Sequence, residues 1–145
     1  RLENVTVADN LGQGVTLSGG ALTVINSILW GNGADVVGAV SLEYSAIGDG
    51  TNNGVDGCTN APPLFVDSEY FHLCSRKGNY TGGYFSGGAW GRSAVYSPLL
   101  DRGDPGSAYD QEPAPNGKRV NPGAYGNTPV ASLSNIPDGT MVVVR

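Results

Sequence analysis

At 145 residues the chain suffices for one domain that buries roughly two-thirds of its unfolded surface, and nothing in it calls for a second. Charged residues supply only 14% of positions while Gly takes 23 and Pro 9, which argues against salt-bridged surface helices and for short strands joined by many turns. Eight Lys and Arg against 13 Asp and Glu give a net charge of -5 without a basic cluster, which removes the electrostatic term that drives nucleic-acid binding.

In chain order, Leu2 to Asn10 (LENVTVADN) aligns with Val24 to Asn32 (VINSILWGN) and then with Leu42 to Gly50 (LEYSAIGDG), at spacings of 22 and 18 residues. Within each copy apolar residues such as Leu2, Val5 and Val7, or Val24 and Ile28, alternate with small or polar ones, the mark of half-buried strand. Second short strands are expected at 14–17 and 34–37, closed by Gly-rich corners such as 18–20. A unit of about 20 residues built only of short strands cannot bury its own apolar face, so it must stack on copies of itself, and parallel stacking generates a β-helix. Asn4 with Asn26, and Asn10 with Asn32, fall at equivalent positions. They either link amides along the stack or simply suit turns.

After Gly50 the repeat gives way to a turn-rich loop at 51–57 and a new apolar segment at 62–67. Cys58 and Cys74 lie 16 residues apart, either as a disulfide or as two buried thiols, with no further ligands for a zinc site. Residues 76–96 read as an excursion loop pinned by Tyr80, Tyr84, Phe85 and Trp90. The tail from Ser97 carries Pro at six positions between Pro98 and Pro129 and is expected to wrap the end of the stack. Met141 to Arg145 looks like the start of another strand. No apolar run is long enough to cross a bilayer, and the opening residues lack the apolar core of a signal peptide.

Four pieces in fixed order carry a family likeness: Asn26 to Asn32 (NSILWGN), Pro63 to Asp67 (PLFVD) with Phe71-His72-Leu73 after it, Ser97 to Pro105 (SPLLDRGDP), and Asn121 to Gly126 (NPGAYG). Together they resemble the C-terminal segments of bacterial right-handed parallel β-helix repeat proteins, the pectate-lyase-like superfamily. The resemblance implies about three right-handed coils over residues 1–50. A final coil, the excursion loop and a Pro/Gly-rich closing segment of the same domain then fill 51–145. It also implies an extracellular or cell-surface setting and a segment of a longer chain.

Enzymes of this fold place acids, Arg or Lys and sometimes calcium along a groove spanning several coils. Here Asp101 with Asp104, and Asp110 with Glu112, are the acidic candidates, calcium being the cofactor the first pair would take. The plainer reading has these carboxylates capping turns and pairing with Arg102 or Arg119. Arg119 is a lyase-type base or, more simply, an anchor of the closing turn, and His72, alone in an apolar strand, is structural. Trp90, Tyr84 and Tyr80 are the candidates for stacking on a sugar, whereas Trp30 ends a strand and packs. Asn4 and Asn79 open Asn-x-Thr sequons of a kind that also arises by chance.

The leading expectation is a non-catalytic extracellular structural or binding segment. Its unpaired coil edges would dock an upstream coil or associate end to end with another copy. The alternatives are the C-terminal part of a polysaccharide lyase or glycoside hydrolase whose groove lies in other coils, and a carbohydrate-binding module.

Overall fold

A computed structural model describes residues 1–136, so the strand expected at 141–145 lies outside the described residues. The described chain is all-β: β1 (Leu2–Glu3), β2 (Thr6–Ala8), β3 (Gln13–Thr16), β4 (Leu22–Ile25), β5 (Ile28–Trp30), β6 (Ala34–Val37), β7 (Val40–Glu43), β8 (Ala46–Ile47), β9 (Asn79–Thr81) and β10 (Ala89–Gly91), with no helix among the described residues. The first eight strands form three parallel sheets ordered β1-β4-β7, β2-β5-β8 and β3-β6. The chain thus passes through the sheets in turn and returns one layer on, making three stacked rungs.

The register matches the sequence repeat. Leu2 pairs with Val24 and Val24 with Leu42, while Thr6 pairs with Ile28 and Ile28 with Ala46. Parallel stacking superimposes equivalent residues, which is why a spacing of 22 and then 18 is visible in the sequence at all. The corner between the first two strands of each rung is left-handed at Asn4 (φ 51°), Asn26 (φ 49°) and Tyr44 (φ 43°). Asn is among the few residues besides Gly that adopt this conformation readily. For Asn4 and Asn26 the turn explanation therefore holds: the Asn26 amide leaves the stack to accept from the Asp104 N–H (2.6 Å) and donate to Ser107 Oγ (2.9 Å). Asn10 and Asn32 do form a ladder, with Asn10 Nδ2 donating to Asn32 Oδ1 at 2.8 Å. A serine ladder runs beside them, Val5 N–H donating to Ser27 Oγ (3.1 Å) and Ser27 N–H to Ser45 Oγ (3.0 Å).

Two apolar layers hold the molecule together. Inside the rungs, Val15, Val24, Leu29, Leu42, Ile47 and Cys58 form one buried cluster. On the outer face of the β2-β5-β8 sheet, Ile28 and Ala46 pack beneath Leu73, Leu99 and Leu100 from the closing segment, which forms the second. Each fully buried Leu or Ile contributes about 1.5–3 kcal/mol. Trp30 packs against this second layer.

The two ends of the stack differ. At the far end, Tyr44 N–H donates to Asp56 O (2.9 Å), Ile47 N–H to Thr59 O (2.9 Å) and Thr59 N–H to Ser45 O (3.0 Å), so the 51–60 loop lies across the third rung. Leu42 and Ile47 are fully buried beneath it. At the near end β1, β2 and β3 are each terminal in their sheets. The interior residues Leu2 and Val7 are only half-buried, although Val24 and Leu29 directly below them are fully buried.

Candidate functional site

The open first rung lies beside a Gly-rich hairpin, and together they form the most developed surface of the molecule. The hairpin is antiparallel, β9 pairing β10 through Tyr80 with Trp90 and Thr81 with Ala89. Gly82 (φ 71°) and Gly87 (φ 80°) supply left-handed turns that would strain other residues. Tyr80 is 8% exposed, and its hydroxyl accepts the Gly88 N–H at 2.8 Å, closing the loop from within.

Beneath the loop sits His72, fully buried. Its Nε2 donates to Gly83 O (2.9 Å) and Tyr84 O (3.1 Å), which fixes the tautomer that carries the proton on Nε2. Its Nδ1 is buried with no partner among the described residues. Burial, the largest influence, lowers the imidazole pKa below its ordinary value against the opposing pull of the two carbonyls. The ring stacks on Tyr125, whose hydroxyl donates to Tyr70 O and whose pKa burial pushes up to about 12.

With the loop pinned from below, Tyr84 and Phe85 stand 56% and 58% exposed. Tyr84 meets Tyr70 edge-on at 4.9 Å, and Phe85 tilts against Tyr125 at 5.2 Å. These rings wall a cleft whose other side is Thr6, Ala8 and Asn10 of the first rung. Trp90 is 47% exposed but belongs to a different cleft, with Lys77, Arg92 and Leu133. The aromatic trio expected to bind a sugar is therefore divided: Tyr80 is a core residue, and Tyr84 and Trp90 serve separate surfaces. Tyr84 and Phe85, read from the sequence as pins of the loop, are its exposed crest. Tyr80 and His72 do the pinning, and the flanking glycines of Gly82-Gly83-Tyr84-Phe85-Ser86-Gly87-Gly88 were the signal for exposure.

Of the acidic candidates, Asp101 lies near enough to Glu112 for its charge to add to the raising of that carboxyl's pKa, whereas Asp104 is engaged in its own turn. Asp101 Oδ1 accepts from Ser134 Oγ (2.6 Å), while Asp104 caps its own turn by accepting from Gly106 N–H (2.9 Å) and Ser107 Oγ (3.3 Å). No cluster of three or more His, Cys, Asp or Glu side chains suited to a metal forms among the described residues. Asp110 is exposed, whereas Glu112 is buried and its Oε1 accepts from Asn121 N–H (2.8 Å) and Asn127 N–H (2.9 Å). Glu112 Oε2 is buried without a partner among the described residues, and burial raises the carboxyl pKa to about 7. Burial raises the Asp101 pKa against a Ser134 hydrogen bond and the attraction of the Arg119 charge, while the direct hydrogen bonds of Arg119 go to backbone. Arg119 donates to the Gly103 carbonyl and, at 3.4 Å, to that of Arg102, and it lies over the Tyr44 ring at 5.8 Å.

Cys58 and Cys74 are unbridged buried thiols, the former packed inside the rungs, and burial raises the Cys58 pKa. Of the sequon residues, Asn79 is buried with its Oδ1 accepting from Ser75 N–H (3.2 Å) and Ser93 Oγ (2.8 Å), and Asn4 is half-buried with its Oδ1 enclosed. Comparison with protein-family models, with curated proteins and with solved structures gives no match.

Proposed function

We propose that this chain is a non-catalytic structural and binding segment, the closing end of a right-handed parallel β-helix, whose first rung receives a further rung of the same kind. The observation that carries the reading is the asymmetry of the interior column. In two of the three sheets Leu2 and Val7 are half-open where Val24, Leu29, Leu42 and Ile47 are sealed, Val15 of the third sheet being buried already, and all three first-rung strands have unpaired outer edges. Such an edge is a template for another strand, and a half-open apolar column gains by being covered. At the far end the 51–60 loop already covers the third rung around residues 44–47, while β6 is terminal in its own sheet. The occupant is a preceding coil of a β-helix protein. The resemblance of the coil and tail motifs to pectate-lyase-like proteins supports the handedness and an extracellular setting.

The test adds a rung. Residues 1–22 are duplicated ahead of Arg1, an offset that repeats the pairing of Leu2 with Val24. The extended chain should unfold at a midpoint several degrees higher, with the amides of Thr6 and Ala8 protected from hydrogen exchange. An unchanged midpoint with those amides still exchanging freely would overturn the reading.

A carbohydrate-binding role is the second reading, favoured by the exposed Trp90 ring beside Arg92. A glycan array on which wild type and Trp90→Ala behave alike removes it.

A further inference from the structure

The outer face of the β2-β5-β8 sheet is a column of Thr6, Ile28 and Ala46, one residue per rung. The C-terminal half covers it progressively. Leu73, Leu99 and Leu100 bury Ile28 and Ala46, and at the first rung the tail reaches Thr6, whose Oγ1 accepts the Ala124 N–H at 3.0 Å. The wall continues beyond the stack: Tyr70, Tyr84, Phe85 and Tyr125 form its next part, and they face Thr6, Ala8 and Asn10 across the cleft. In a parallel ladder successive residues point their backbone groups to opposite sides. Val5 O accepts from Ile28 N–H (2.8 Å) and Asp9 N–H donates to Trp30 O (3.0 Å), so the intervening alternation turns Thr6 and Ala8 away from the stack and toward the open side.

We infer that Tyr84 and Phe85 form a docking flange, an apolar slot that receives the outward side chain which an added rung places above Thr6. This rests on the proposed addition of a rung and names how that rung is recognised. The flange prolongs the interface that already exists at Ile28 and Ala46, so the incoming residue is apolar, as those are. A sugar suits the slot less well. Its rings meet at 73° and 56°, walling a slot instead of presenting one flat face. Two of its polar side chains are also engaged, Thr6 Oγ1 with Ala124 and Asn10 Nδ2 with Ala8 O (3.2 Å) and Asn32 Oδ1 (2.8 Å).

The test uses the rung-duplicated chain with either Thr6→Ile or Thr6→Asp in the added copy, each with and without Tyr84→Ser and Phe85→Ser. With the rings present, the Ile version should melt several degrees above the Asp version, and the ring protons of Tyr84 and Phe85 should shift on adding the rung. With both rings replaced, that difference should collapse. The same double replacement in the chain without an added rung gives the baseline loss of the Tyr70 and Tyr125 ring contacts, so the flange is read from the Ile–Asp difference within each background. If the Thr6 and Ala8 amides slow but the Ile–Asp difference is indifferent to the rings, the flange is overturned and the rung addition stands. If those amides never slow, both fall together.

Discussion

The imidazole of His72 lies flat on the phenol ring of Tyr125, with centroids 3.6 Å apart and planes 14° from parallel. The contact joins the segment ahead of the hairpin to the closing tail, and His72 passes the restraint on to the loop through the carbonyls of Gly83 and Tyr84. His72→Ala should cost about 2–4 kcal/mol from the cavity and the lost donor. His72→Phe should keep the stack yet cost about 1–3 kcal/mol, because two carbonyls lose their donor. Urea unfolding measures both, and proteolysis of residues 82–88 should quicken in each variant.

Stability should depend on pH in two opposing ways. Glu112 has a folded pKa raised from 4.5 to about 7, so its stabilising contribution is complete below the unfolded value and is lost as pH rises through about 7. That loss is on the order of 3 kcal/mol. His72 has a lowered folded pKa, so the unfolded chain takes up its proton first and stability falls as pH drops below about 6.5. Glu112→Gln should shrink the loss with rising pH, leaving the same-sign contribution of Asp101, whose pKa burial also raises, and the acid-side loss of His72. Unfolding free energies at about pH 5 and about pH 8 for the two proteins decide it. A change in stability between the two pH values that is the same in wild type and Glu112→Gln would contradict the Glu112 assignment.

Asn32 joins the first two rungs more densely than any other side chain on that edge. Its Nδ2 donates to Val7 O (2.9 Å) and Asp35 Oδ1 (2.9 Å), and its Oδ1 accepts from both nitrogens of Asn10. Asn32→Ala should destabilise by about 1–3 kcal/mol and release the first rung, seen as faster hydrogen exchange at Asp9 and Asn10 than in β7.

Both thiols are buried and unbridged. A thiol reagent should label neither Cys58 nor Cys74 in the native protein at neutral pH and both after unfolding, at the same extent with or without reductant. A mass consistent with a bridge in the unreduced protein would refute this.

Because the 51–60 loop covers the third rung at residues 44–47 and leaves only β6 terminal there, copies of the chain should meet open rung to open rung. Light scattering at rising concentration should therefore show nothing larger than a dimer. Open-ended oligomers would mean that the loop detaches and that the far rung also pairs.

The repeat could be read from the chain because parallel stacking aligns like with like. Leu2 above Val24 above Leu42 is a periodicity before it is a contact, and it needs only local alternation and stated spacings. The left-handed corner at Asn4 and Asn26 was legible for the same reason, since Asn favours that conformation wherever the chain turns.

The fate of the aromatic residues was not legible. Tyr80 and Tyr84 lie four residues apart in one Gly-rich stretch, yet one is core and the other stands in solvent. What separates them is Tyr125, brought from the tail to stack on His72, which turns the loop so that its carbonyls face inward and its rings outward. The carboxylates behave likewise: Asp101 and Asp104 sit close in sequence but point to different partners, and Glu112 becomes buried only because Asn121 and Asn127 fold back on it. The sequence by itself determined the stacked, all-β rungs, their register and their corners, because these depend on residues compared with their own repeats. Only the tertiary structure decided which end of the stack is closed, which rings are exposed and which acids are buried. Those outcomes depend on where the non-repeating tail docks, and no period along the chain encodes that.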